Sequence, residues 1–169
     1  LRGLSMQMPE LKIVEVDTYT LFNQQDIHFA DDEMPATYSK FRRHAEKWST
    51  IPALPAPKNI PPPPKVVSKK GKTLSSFIAE HSTIENLLTG GEAAAQTHLS
   101  QYFAGDLPLS YKVVRNELDG FVNSSKMSSW LNMGCLSVRR LRMRIQDYEA
   151  ERGGNDSTYW LFIELKFVC

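Results

Sequence analysis

A proline-dense stretch at residues 51–64 constrains how this chain can fold more than any other feature. Seven of the 10 prolines lie in it: Pro52, Pro55, Pro57 and Pro61 to Pro64. Proline has no backbone N–H to donate and its φ is fixed, so this stretch favours extended polyproline II over a helix or a sheet strand. The basic residues that follow, broken by Gly71, extend it to residue 72. We therefore interpret residues 51–72 as a linker that crosses the surface rather than as a nuclear-localisation patch.

The residues before the linker combine one strand pattern with one helix pattern. Lys12 to Asp17 and Tyr19 to Phe22 are β-rich and predict a buried strand. An amphipathic helix with Thr37 as its N-cap is predicted from apolar residues at helical spacing, namely Tyr38, Phe41, Ala45 and Trp48. Residues 1–50 therefore read as an α/β segment.

Residues 73–169 read as helices throughout. Ser82 to Glu85 match a capping box. A helix from Glu92 to Ala104 is predicted with an apolar face of Ala95, Leu99, Tyr102 and Phe103, and a helix capped by Ser137 with a stripe of Val138, Leu141, Ile145 and Tyr148. A last helix through Tyr159 to Glu164 has Asp156 or Ser157 as its expected N-cap. The chain is thus predicted to be mainly α.

Charge and composition exclude some functions. The 20 Lys and Arg against 19 Asp and Glu leave a net charge of only +1, so overall charge does not indicate nucleic-acid binding. Two cysteines fit no metal-ligand spacing, and no apolar run is long enough to span a membrane. We expect a monomer with no metal site and no membrane partner, soluble and intracellular, with an organelle and the nucleus both open as compartments.

Four arginines at the start of one predicted helix allow two interpretations. Arg139, Arg140, Arg142 and Arg144 lie within six residues of each other. They could bind DNA phosphate, or they could form a solvated face with Arg139 pairing inside the domain.

A polar stretch between two helices is the strongest candidate for a binding site. Asn123 to Ser128 offers three hydroxyls, one amide and one cation next to an expected helix N-terminus. Free N–H groups at such a place suit an anionic phosphate, and the set predicts a cradle for a pyrophosphate. The other interpretation, an ordinary serine-rich turn with Ser128 or Ser129 as a helix N-cap, stays open.

Several strings taken in order resemble the photolyase and cryptochrome family, with the DASH branch most similar. They are Gly90-Gly91-Glu92, Tyr111-x-x-x-Arg115-Asn116, Ser124-Ser125-Lys126-Met127-Ser128-x-Trp130-Leu131, Gly134 to Arg139, and Asn155 to Trp160 running into Glu164-Leu165. The resemblance implies that residues 1–50 are the end of the α/β domain and that residues 73–169 are the first, truncated part of the all-helical FAD-binding domain. The chain then reads as a fragment.

The same resemblance implies a set of site residues. The cofactor-binding residues would be Tyr111, Ser124, Ser125, Lys126, Met127, Ser128 and Glu164. Glu164 would also be the catalytic carboxyl, lying between the flavin and the lesion. By its position near the chain end alone, it would be interpreted as an exposed acid. The Trp and Arg that follow Glu-Leu in the family are replaced here by Lys166-Phe167-Val168-Cys169.

For function, the resemblance implies a blue-light flavoprotein that repairs cyclobutane pyrimidine dimers in single-stranded DNA by light-driven electron transfer from FAD, with a folate-type antenna chromophore. A photoreceptor that signals through a partner without repairing DNA, and a truncated inactive product, stay open. Because the later ligands are missing, we expect this chain alone to be an inactive lyase fragment that copurifies with little FAD.

Overall fold

The computed structural model describes residues 7–8, 10, 12–14, 20–22, 27, 29, 35–62 and 88–166. These residues form helices and no strand, which confirms the mainly α prediction. Lys12, Ile13 and Val14 have no regular structure, and neither do Thr20 to Phe22, so the predicted strand is not formed at these residues. Its remaining residues, 15–17 and 19, lie outside the described ranges. The capping box at Ser82 to Glu85 also lies outside them.

Six α-helices and one short 3-10 helix make up the regular structure of the described residues. The helices are α1 (Tyr38–Ala45), α2 (Glu92–Tyr102), α3 (Leu107–Val114), α4 (Ser128–Asn132), α5 (Val138–Arg152) and α6 (Asp156–Leu165), with the 3-10 helix at Phe121–Asn123 between α3 and α4. Helix α6 packs along α3 and against α5. The described part of the linker, residues 51–62, contains no helix or strand.

The core is built from the apolar faces that the periodicity predicted. The stripe of α5 is fully buried at Val138, Leu141, Ile145 and Tyr148. The predicted face of α2 is also buried, at Ala95, Leu99, Tyr102 and Phe103. Each buried Val, Leu, Ile or Phe side chain in these faces contributes roughly 1.5–3 kcal/mol by leaving water. Both helices are therefore held by their packing faces, as expected for helices of this length.

The C-terminal end of α2 is closed by side chains from α5. Phenolic Oη of Tyr148 donates to the carbonyl of Gly105 at 2.9 Å, and the guanidinium groups of Arg144 and Arg152 donate to the carbonyls of Phe103 and Ala104 at 3.2 and 2.9 Å. These carbonyls follow the last turn of α2 and have no acceptor role within the helix, so the contacts satisfy them and place positive charge at the negative end of the helix dipole.

The arginines of α5 mostly contact the protein itself. Arg139 donates to the carbonyl of Thr20 at 3.1 Å, Arg142 lies 3.6 Å from the ring centre of Phe162, and Arg144 bonds Phe103 as described. Arg140 is exposed. The interpretation in which Arg139 pairs inside the domain agrees with this geometry, and a grip on DNA phosphate would have only Arg140 freely available.

The predicted N-cap of α6 is wrong, and the alternative of a serine cap on α4 is not realised. Helix α6 is capped by Asn155, whose side-chain oxygen accepts from the amides of Ser157 and Thr158 at 2.8 and 3.1 Å, while Oγ1 of Thr158 accepts from the Asn155 amide at 3.0 Å. This reciprocal capping box outcompetes a single cap from Asp156 or Ser157. Helix α4 has Met127 at its N-cap position, without a capping side chain.

The other two predicted caps are correct in position. Thr37 precedes α1 in extended conformation, although its hydroxyl makes no capping hydrogen bond. Ser137 caps α5 and accepts from the Arg140 amide.

A buried lysine ties α6 to α1. Lys166, at the C-cap of α6, is only 4% exposed and its Nζ donates to the carbonyl of Ala45 at 2.8 Å. The rings of Phe22 and Phe162 lie 5.4 and 4.6 Å from that nitrogen. Burial, followed by repulsion from Arg142, lowers the pKa of Lys166 to about 8 from its ordinary 10.5.

This pKa predicts how stability depends on pH. Between pH 8 and 10.5 the unfolded chain holds the proton and the folded protein releases it, so the free energy of unfolding rises with pH. Relative to Lys166→Met, the wild-type chain should gain about 3 kcal/mol across that window, measured by urea unfolding at each pH. Parallel pH profiles for the two proteins would mean that the amine is not desolvated in the fold.

Candidate functional site

One cavity collects every site residue predicted from the sequence. It has a volume of about 380 Å³, and its lining includes Tyr111, Ser124, Ser125, Lys126, Met127, Ser128 and Glu164. The remaining lining is aliphatic, from Leu131, Leu141, Leu161 and Leu165. The cavity lining therefore combines a polar loop, an acid, a phenol and four leucines.

The carboxylate of Glu164 is held by Tyr111 of α3 and by Arg115, the C-cap residue of that helix. Tyr111 donates its phenolic hydrogen to Oε2 of Glu164, and a guanidinium nitrogen of Arg115 pairs with Oε1. Tyr111 and Arg115 are four residues apart, so one face of α3 presents both of them to α6. With its side chain 27% exposed, Glu164 is not the freely solvated acid that its position alone allowed.

Burial raises the pKa of the Tyr111 phenol. Tyr111 is buried, and desolvation, with a further contribution from Tyr102, raises the pKa of its hydroxyl above 10. A phenol is protonated at neutral pH even without this shift, and the Tyr111 hydroxyl donates its hydrogen to Glu164.

Arg115 also carries a donor that nothing satisfies within the described residues. Its Nε is buried and has no hydrogen-bond partner there. An unpaired buried donor is costly, and Arg115 is not among the residues that line the cavity.

The serine loop has backbone geometry suited to an anion. Lys126 has φ +55, in the left-handed region, and Met127 follows with φ −82 and ψ −13. Consecutive residues of opposite hand form a nest, a concave arrangement of backbone N–H groups that accepts anions. Within the described residues no hydrogen bond uses the amides of Lys126, Met127 or Ser128.

The predicted contribution of a helix dipole needs correction. Helix α4 is only five residues long, because residues from Met133 onward turn away towards Gly134, which has φ +68. So few aligned peptides produce little macrodipole. Any attraction for phosphate at this loop therefore comes from the nest, the hydroxyls of Ser124, Ser125 and Ser128, and the ammonium group of Lys126.

His98 contacts the backbone of the serine loop. Nε2 of His98 on α2 lies 2.8 Å from the carbonyl oxygen of Ser125. Its imidazole packs on Trp130 with ring centres 4.8 Å apart, and Trp130 in turn donates from Nε1 to the carbonyl of Thr89 at 3.0 Å.

Sequence reasoning did not assign a role to Arg115 or to His98. A signal existed for Arg115, since the i, i+4 spacing from Tyr111 places both on one helix face. No local signal exists for His98, whose partner lies 27 residues away.

The described residues offer neither a metal site nor a membrane span. They contain no cluster of His, Cys, Asp and Glu side chains able to hold a metal ion. Nor, within the same ranges, does any helix have the length and apolar character that crossing a membrane requires.

The sequence of the chain is similar over most of its length to several proteins named cryptochrome DASH. The chain is 38% identical over 165 residues to a cryptochrome DASH of Vibrio parahaemolyticus and 39% identical over 169 residues to one of Idiomarina loihiensis, covering 98% and 96% of this chain. A chloroplastic/mitochondrial cryptochrome DASH of Arabidopsis thaliana is 34% identical over 151 residues, covering 86% of this chain. No family model matches the chain.

The fold of the chain also resembles that of a cryptochrome whose structure has been solved. The crystal structure of a Synechocystis cryptochrome superposes with a TM-score of 0.64 at 34% identity, covering 89% of this chain and 32% of that protein. The chain spans about a third of the length of its bacterial relatives, 36% and 35% for the two named above.

Proposed function

Because the chain belongs to the photolyase and cryptochrome family and matches its DASH members, we propose that it forms one wall of an FAD site in a blue-light flavoprotein. The observation that carries this proposal is the single cavity lined by Tyr111, the loop from Ser124 to Ser128, and Glu164. Residues 1–50 would be the end of an α/β domain, 51–72 its linker, and 73–169 the beginning of the helical flavin domain.

The residues present fit the chemistry of FAD. The loop from Ser124 to Ser128 supplies hydroxyl donors, one cation, and three amides that no hydrogen bond among the described residues uses. Groups of this kind bind a pyrophosphate. The four leucines of the lining suit an uncharged ring system. Reduced FAD, when bound, would supply the light-driven electron chemistry, and the protein would position it.

For the intact protein, we propose repair of cyclobutane pyrimidine dimers in single-stranded DNA. A dimer stacks poorly and so costs less to flip out of its strand. Tyr111 and Arg115 hold Glu164 at the cavity, where its carboxyl could hydrogen-bond the lesion bases. A folate-type antenna chromophore would belong to the parts of such a protein that precede this chain's helices.

A flavin titration tests the proposal directly. The ¹⁵N-labelled 169-residue chain is titrated with FAD, and backbone amide shifts are followed by NMR. We expect saturable binding with a Kd in the millimolar range or tighter, corresponding to about 4 kcal/mol or more. Shifts should concentrate at Ser124 to Ser128 and around Tyr111 and Glu164. Shifts elsewhere, or none at all, would refute the assignment of this cavity to FAD.

A further inference from the structure

We propose that His98 is a positioning residue that sets the orientation of the pyrophosphate cradle through the Ser125–Lys126 peptide. This inference rests on the proposed flavin function, and it assigns a role to a side chain that does not line the cavity. The supporting contact is the 2.8 Å separation between Nε2 of His98 and the Ser125 carbonyl oxygen.

The protonation of this contact follows from its chemistry. A carbonyl oxygen can only accept, so Nε2 of His98 must carry the hydrogen and donate it. The ring is held for that purpose on two sides. Trp130 lies against it at 4.8 Å, and Phe121 makes an edge contact at 6.3 Å. Trp130 is itself anchored, being 5% exposed and bonded to the carbonyl of Thr89.

Peptide geometry carries the effect of His98 into the cradle. In a planar trans peptide the C=O and the next N–H point in opposite directions. When His98 holds the Ser125 carbonyl towards α2, the amide of Lys126 is turned away from α2. That amide is the first of the nest formed with Met127 and Ser128. The orientation of the nest is thus coupled to one imidazole hydrogen.

The backbone at Lys126 explains why such support is needed. A φ of +55 is unfavourable for a residue with a side chain, and it persists only where surrounding contacts hold it. Besides the His98 contact, the Lys126 ammonium lies 6.0 Å from the centre of the Phe121 ring. Phe121 touches both partners, so His98, Phe121 and Lys126 form one supporting cluster behind the loop.

The test compares three versions of the 169-residue chain against two flavins. His98→Phe keeps an aromatic ring on Trp130 and removes the donor, whereas His98→Gln places an amide donor near the position of Nε2. Binding of FAD and of riboflavin, which lacks the pyrophosphate, is measured by flavin fluorescence anisotropy with increasing protein. His98→Phe should weaken FAD binding about fivefold or more and leave riboflavin binding within about twofold. His98→Gln should restore FAD binding to within about threefold.

Equal losses for the two flavins in His98→Phe, or no loss for either, would overturn the proposal, as would a failure of His98→Gln to restore FAD binding. A second measurement separates this from the proposed function. In flavin-free protein, the amide shifts and ³J couplings of Lys126 and Met127 should change in His98→Phe and remain in His98→Gln. If the wild-type chain bound neither flavin, the proposed function would fail. Unchanged couplings of Lys126 and Met127 in flavin-free His98→Phe would refute the role of His98, whether or not flavin binds.

Discussion

Replacing Ser125 and Ser128 together with alanine is expected to lower the affinity for FAD at least about tenfold. Both hydroxyls line the cavity beside the nest. Each would donate to a charged phosphate oxygen, and hydrogen bonds to charged groups contribute about 1.5–3 kcal/mol apiece. Since roughly 1.4 kcal/mol is a factor of ten, even partial compensation leaves a tenfold loss. The measurement is a flavin titration of a version of this chain completed with the C-terminal sequence of a DASH relative.

The structure makes this a clean experiment. The sequence left open that Ser128 or Ser129 caps the next helix, in which case alanine would also destabilise the protein. Met127 occupies the N-cap position and no side chain caps α4, so the double variant should retain its melting temperature. Ser129→Ala is the matched control, because Ser129 is exposed and does not line the cavity. Normal FAD binding by the double variant would show that the hydroxyls of Ser125 and Ser128 do not bind the pyrophosphate.

Glu164→Gln is expected to leave flavin affinity within about twofold while lowering light-dependent dimer repair at least about tenfold in the same completed chain. The amide keeps the shape and one acceptor oxygen. It loses the charge that pairs with Arg115 and the second oxygen that accepts from Tyr111. Because the proposal assigns the phosphate groups to the serine loop, the charge change would fall on the side of the cavity proposed for the lesion. The measurements are a flavin titration and restoration of thymine absorbance in irradiated oligothymidylate.

Asp156→Asn is the matched control for this variant. It removes a carboxylate from the same helix, but one that is exposed and pairs with Lys112 at the surface. Exposed pairs contribute little, so repair should be unaffected. Unchanged repair in Glu164→Gln would mean that the carboxyl does not face the lesion. A completed chain that binds flavin and repairs no dimer would instead favour a signalling photoreceptor.

Local rules predicted the helices well and their starting residues less well. The stripe from Val138 to Tyr148 is buried as its spacing required. The N-cap of α6 is Asn155 rather than the predicted Asp156 or Ser157. Which of several adjacent polar residues caps a helix depends on which one makes the better set of hydrogen bonds. Asn155 gains a reciprocal partner in Thr158 and also donates to the carbonyl of Leu109, a contact with α3 that no local pattern reveals.

The sequence by itself determined the helical periodicity, the proline break, and an ordered series of strings specific enough to indicate the family, since each depends on residues close together in the chain. Only the tertiary structure decided which side chains meet. Tyr111 and Glu164 are 53 residues apart, and His98 and Ser125 are 27 apart. Those pairings depend on how α2, α3 and α6 pack, and packing is set by the complementary shapes of buried faces rather than by the spacing within any one helix.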